Sequence, residues 1–97
     1  MISKAHKARA EHAAQLFGLV SSATRVRILT TLMKKKELSV QDIAKNLNMT
    51  HSAVSHQLGL LSEANIVSSK KLGRLMCYRI ASGKEAKALI KFLSSLS

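Results

Sequence analysis

The sequence predicts a mainly α-helical domain with one small β-hairpin, and three observations predict it. Apolar residues recur at helical spacing through most of the 97 residues, and the period switches once to alternation, between positions 66 and 80. Short polar clusters, rather than Pro or Gly, divide the segments. With no Pro, four Gly, and no low-complexity stretch or internal repeat, no linker is expected, and residues 1–97 read as one domain.

The first helical segment spans 4–20, where Ala10, Ala13, Ala14, Phe17 and Val20 give a packing face of mostly small residues onto which another helix can approach closely. Ser21 and Ser22 offer the N-cap of a second helix with a buried stripe of Val26, Leu29, Leu32 and Met33. Lys34, Lys35 and Lys36 stand at its C-terminal end, where cations complement the carbonyl dipole and water solvates them. A short third helix is written into 39–47, with Ser39 as N-cap, Asp42 in the first turn, and Val40, Ile43, Ala44 and Leu47 on one face.

Asn48 suits the left-handed conformation that ends a helix, and Thr50 suits the cap of the next, so the break is short. The fourth helix then runs from 51 to about 64. Its stripe of Val54, Leu58 and Leu61 leaves His51, Ser52, Ser55, His56 and Gly59 largely off the buried side, giving a polar face of low bulk. After Asn65, a second left-handed stop, 66–71 and 75–80 read as strands joined around Leu72-Gly73-Arg74, with Gly73 supplying the turn. Met76, Tyr78 and Ile80 share one face of the return strand. Lys70, Lys71 and Arg74 crowd the tip, where like charges repel unless a polyanion meets them. From 84 onward, Ala86, Leu89, Ile90, Leu93 and Leu96 mark a last amphipathic helix.

Charge and size narrow the function. Sixteen Lys plus Arg against five Asp plus Glu give a formal charge of +11, which favours a polyanionic partner, nucleic acid first and an anionic membrane surface second. A domain of this length buries only about two-thirds of its unfolded surface, so its core is thin and a second subunit helps. The first and last helices, 1–20 and 84–97, are therefore the expected surface of a homodimer. No apolar run approaches the roughly 18 residues of a membrane span, so no membrane partner is expected. The opening MISKAHKARAEHAAQ has charges where a secretory signal needs apolar residues, which points to the cytoplasm.

Catalytic and metal chemistry find little support. Glu11, Glu37, Asp42, Glu63 and Glu85 are scattered, and no Gly-rich phosphate loop occurs, so an enzyme is not expected. His6 and His12 are six residues apart, off a common helical face, and His51 and His56, five apart, also diverge. Cys77 is the single cysteine, which excludes an intrachain disulfide. It lies on the strand face opposite Met76 and Tyr78, where partial exposure and oxidation can be expected, although a plain small strand residue is the simpler role. No cofactor or metal site is assigned.

Two helices joined by a short turn (39–64), the second with a small polar face, followed at once by a basic hairpin (66–80), describe a dimeric winged helix-turn-helix. A helix enters the major groove of double-stranded DNA when its outer side chains are short enough for close approach yet able to hydrogen-bond base edges. Thr50, His51, Ser52, Ser55, His56 and Gln57 are the residues assigned to the groove. Lys70, Lys71 and Arg74 are assigned to backbone phosphates, which fix register without carrying sequence information.

The same residues carry a family resemblance over 16–80. Thr24-Arg25 before Arg27-Ile28-Leu29, then Glu37-Leu38-Ser39-Val40, then Ser52-Ala53-Val54-Ser55-His56-Gln57-Leu58, and Gly73-Arg74 before Tyr78 resemble the ArsR/SmtB family of repressors. The resemblance implies a homodimer that binds an operator palindrome, and in many members a metal, arsenite or thiol-reactive signal releases the DNA. The sensing residues do not carry over. Where arsenite and cadmium sensors place cysteines this chain has Glu37-Leu38-Ser39-Val40-Gln41. At the positions of the zinc ligands in the last helix it has Ser82 and Lys84, and the tail 91–97 holds no His, Asp, Glu or Cys. A regulator without the usual metal sites is expected, its small-molecule or redox inducer unassigned by any motif. The competing reading is a nucleoid-type protein that coats DNA through charge alone.

Overall fold

The computed structural model describes residues 3–96. Among them, α1 (Lys4–Leu19), α2 (Ala23–Lys35), β1 (Glu37–Ser39), α3 (Val40–Leu47), α4 (His51–Glu63), β2 (Val67–Leu72), β3 (Leu75–Ile80) and α5 (Lys84–Ser95) follow in order. The mainly helical class with a hairpin wing is the one the periodicity indicates.

Local chemistry sets the helix ends. The hydroxyls of Ser3, Ser22, Ser39 and Thr50 each accept a hydrogen bond from the backbone N–H three residues on, a cap worth about 1 kcal/mol. At the other ends, Asn48 (φ 54°) and Asn65 (φ 63°) adopt the left-handed conformation. In each case the next residue donates back five positions, Met49 N–H to the Ala44 carbonyl and Ile66 N–H to the Leu61 carbonyl, both at 2.9 Å. Ile66 and Leu61 are both fully buried, so the hydrogen-bonded stop is backed by an apolar contact of the kind that accompanies this motif.

The core gathers Ile28, Leu29 and Leu32 of α2, Ile43, Ala44 and Leu47 of α3, Val54, Leu58 and Leu61 of α4, Ile66, Val67, and Leu89 and Leu93 of α5. On α2 the buried stripe differs from the expected one: Ile28 is fully buried, while Val26 and Met33 are only half-buried. The helix packs against α3, α4 and the sheet together, which covers a wider arc than a single partner would.

The sheet holds a strand that periodicity did not signal. β1, three residues long and merging into the cap of α3, pairs antiparallel with β3, so the order is β1-β3-β2 and β3 is central. This corrects the expectation for Cys77. Flanked by Ser39 of β1 and Lys70 of β2, it is buried, with 8% of its surface exposed, and is not partly open to oxidation. The chain reaches β1 through Lys36 at φ 67° and ψ −54°. A non-glycine residue in so sparse a region carries a strain of about 1–3 kcal/mol. In the hairpin the turn residues are Gly73 and Arg74, and only Gly73 has positive φ, 63°, the arrangement of a turn with glycine first.

No residue of α1 is buried. The helix leans on α5 through Phe17 and Phe92, whose rings meet edge-to-face at 5.5 Å. Ala13, Leu16, Phe17, Ala88, Leu89 and Phe92 line an open apolar cavity of about 140 Å³. Phe17 (56% exposed), Phe92 (38%) and Leu96 (68%) leave an apolar face open to solvent there.

Candidate nucleic-acid interface

Three devices hold α4 in place. Its apolar stripe sits in the core, its start is capped by Thr50, and two arginines of α2 bracket it. Arg27 Nη2 donates to the Leu47 carbonyl at 3.3 Å, closing the end of α3 just before the turn. Arg25 Nη1 donates to Gln57 Oε1 at 3.2 Å, and its Nε and Nη2 donate to the carbonyls of Leu19 and Gly18 at the end of α1, at 2.9 and 3.3 Å. Arg25 and Arg27 stand two residues apart, so at about 100° per residue they point in nearly opposite directions, one toward each neighbouring helix end.

With Val54, Leu58 and Leu61 inward, the same rotation puts Ser52 and His56 on the side of α4 away from the core, His51 and Ser55 on one flank and Gln57 on the other. Ser52 and His56 are exposed. His51 and Ser55 line a cleft of about 220 Å³ together with Gln41 of α3 and Arg74, Met76 and Tyr78 of the hairpin. The cleft thus unites one end of α4 with the wing. Its open N-terminal turn adds the partial positive charge of the helix end.

Not every assigned residue is equally free. Thr50 is exposed, but its hydroxyl oxygen accepts from Ala53 N–H at 3.1 Å and so serves first as a cap. Gln57 is half-buried with its carbonyl oxygen engaged by Arg25. Lys70, Lys71 and Arg74 are all exposed. The register pairs Lys70 with Cys77 and Lys71 with Met76, so alternation sends the two lysines to opposite faces of the hairpin rather than to one crowded tip.

Gln41 and Tyr78 of the cleft, and the braces Arg25 and Arg27, escaped the reading of residue types. Local spacing carries no signal for the arginines' role, because their partners Leu47 and Gln57 are 20 and 32 residues distant. Among the described residues, no three His, Cys, Asp or Glu side chains are grouped so as to hold a metal ion, and no helix is long and apolar enough to cross a membrane.

Comparison with known proteins adds independent findings. The profile described as bacterial regulatory protein, arsR family, matches residues 22–69. The chain is 33% identical over 73 residues to a transcriptional repressor SmtB homolog of Synechocystis sp., a match that covers 75% of this chain and 54% of that protein, so it spans about half of that relative's length. It is 31% identical over 65 residues to the transcriptional repressor SdpR of Bacillus subtilis, covering 67% of this chain and 71% of that one. Among solved structures, NolR from Sinorhizobium fredii superposes with a TM-score of 0.84 at 28% identity, over 100% of this chain and 92% of that chain.

Proposed function

Since the chain belongs to the arsR family of bacterial regulatory proteins and carries its DNA-binding fold, a regulator's and not an enzyme's, we propose that it is a sequence-specific repressor acting as a homodimer on an inverted-repeat operator. The observation that carries this reading is the outer face of α4, Ser52 and His56, set beside a cleft in which His51 and Ser55 meet Arg74 of the wing. Short polar side chains on a helix braced from behind suit readout of base edges in the major groove, and the wing cation suits an adjacent phosphate. The repressors of Synechocystis and B. subtilis similar to this chain support the direction of regulation.

Within that reading, Ser52, Ser55, His51 and His56 contact the groove, and Lys70, Lys71 and Arg74 contact phosphates. Thr50 and Gln57 contribute chiefly by placing the helix. The α1 and α5 faces meet their copies in the partner subunit. The ligand positions of the metal-sensing members are occupied by Ser39, Gln41, Ser82 and Lys84, so the regulator is proposed to work without those sites.

Base readers and phosphate contacts are separable by experiment. His56→Ala should lower the preference for a selected site over scrambled duplex by about 1–3 kcal/mol, whereas Arg74→Ala should weaken both duplexes alike and reduce the salt slope by about one. Fluorescence anisotropy titrations of both variants on both duplexes, across a salt series, measure this. Unchanged preference in His56→Ala, together with Ser52→Ala, would remove α4 from the groove.

A further inference from the structure

The guanidinium of Arg25, on α2, bonds both the end of α1 and the flank of α4. One side of its fork holds the carbonyls of Gly18 and Leu19, the last turn of α1, and the other holds Gln57 Oε1 on the flank of α4. Phe17, which opens the apolar face shared with α5, directly precedes those two carbonyls. We infer that Arg25 is a positioning residue that ties the setting of the recognition helix to the conformation of the α1 end, so that repacking at the α1/α5 face is felt at the DNA-reading surface. This rests on the reading of α4 as the recognition helix.

Physical reasons favour this link. A planar guanidinium fixes both partners in one plane, which a lysine ammonium cannot do. The Gly18 carbonyl also accepts from the Ser21 hydroxyl at 2.7 Å, so the firmer hold of Arg25 on the end of α1 is its Nε bond to the Leu19 carbonyl at 2.9 Å, and a cation at that helix end gains from the dipole. Gln57 lies on the same helix as His56 but on the flank away from the cleft, so Arg25 acts on α4 from that flank. A shift of α1 would therefore move Ser52 and His56 relative to the wing.

The test uses the intact chain with Arg25→Met, Arg25→Lys, Gln57→Met and the Arg25→Met/Gln57→Met pair, each titrated on its selected site and on scrambled duplex. The ratio of the two affinities cancels any change in folded fraction. Each single variant should lose about tenfold in that ratio, and the double variant no more than either single one, because one shared contact is lost only once. Arg25→Lys should behave like Arg25→Met. A double variant that loses about a hundredfold, or a lysine variant that restores the ratio, would overturn the link. A second arm needs no DNA: in nuclear magnetic resonance spectra of the free protein, the Gln57 side-chain amide signals should shift in Arg25→Met, and no shift would overturn it independently. An unaltered chain with no site preference at all would instead contradict the repressor reading and leave this second arm standing.

Discussion

A Phe17→Glu/Phe92→Glu double variant should fold, remain monomeric, and bind an inverted-repeat site at least about a hundredfold more weakly than the unaltered chain. Both rings are substantially exposed in the protomer, at 56% and 38%, so their loss leaves the core of α2, α3 and α4 untouched. The same rings rim the apolar cavity between α1 and α5, lined further by Ala13, Leu16, Ala88 and Leu89. A face of that kind in a thin-cored domain of this size is best covered by a copy of itself. Two carboxylates on it would have to be desolvated in any such contact, at a cost several times the gain from the remaining apolar surface. With the dimer gone, the second half-site is no longer engaged at high effective concentration, which accounts for the size of the loss. Sedimentation equilibrium gives the assembly state, circular dichroism the fold, and anisotropy the affinity. A double variant that stays dimeric with full affinity would place the interface elsewhere.

Leu58→Ala should cost about 2–5 kcal/mol of stability. Leu58 is fully buried and sits on α4 directly behind the proposed reading face, within the cluster that includes Leu29, Ile43 and Val54. Ala is at least as good a helix former as Leu, so the whole effect is lost packing and the cavity left behind. A domain of about 100 residues has a total stability of roughly 5–15 kcal/mol, so the loss is a large share of the whole. Urea unfolding should show a lower midpoint with an unchanged slope. A drop below about 1 kcal/mol would mean that α4 is not anchored as its burial indicates.

Much of this architecture was legible because it is local. The Ser39 and Thr50 caps, the Asn48 and Asn65 stops and the Gly73 turn each depend on residues within a few positions of one another, and all occupy the conformations their chemistry favours. The Val40, Ile43, Ala44, Leu47 face and the Val54, Leu58, Leu61 stripe were likewise fixed by spacing. What escaped was long-range. Three residues cannot display alternation, so β1 was invisible, and with it the burial of Cys77 on a central strand. The position of Ile28 in the core followed from α2 being covered on several sides at once.

For the candidate site, residue type suggested a polar, basic surface but not how it divides. His56 and Gln57 are adjacent in sequence and stand on different sides of α4, one open and one held by Arg25. Lys70 and Lys71 are likewise adjacent and point to opposite faces of the wing. These distinctions depend on which neighbour lies across a gap of tens of residues, and only the folded arrangement supplies that.

The central claim is that α4 reads sequence and that charge only assists. Selection of bound duplexes from a random library, at near-physiological salt, tests it most directly. An enriched inverted repeat is expected, with half-site centres one helical turn apart, roughly 34 Å or a multiple of it, and bound about 10³-fold or more above the random pool. A selected pool with no enriched motif, bound with uniform affinity and a steep salt slope, would contradict the claim and leave the charge of +11 as the whole basis of DNA binding.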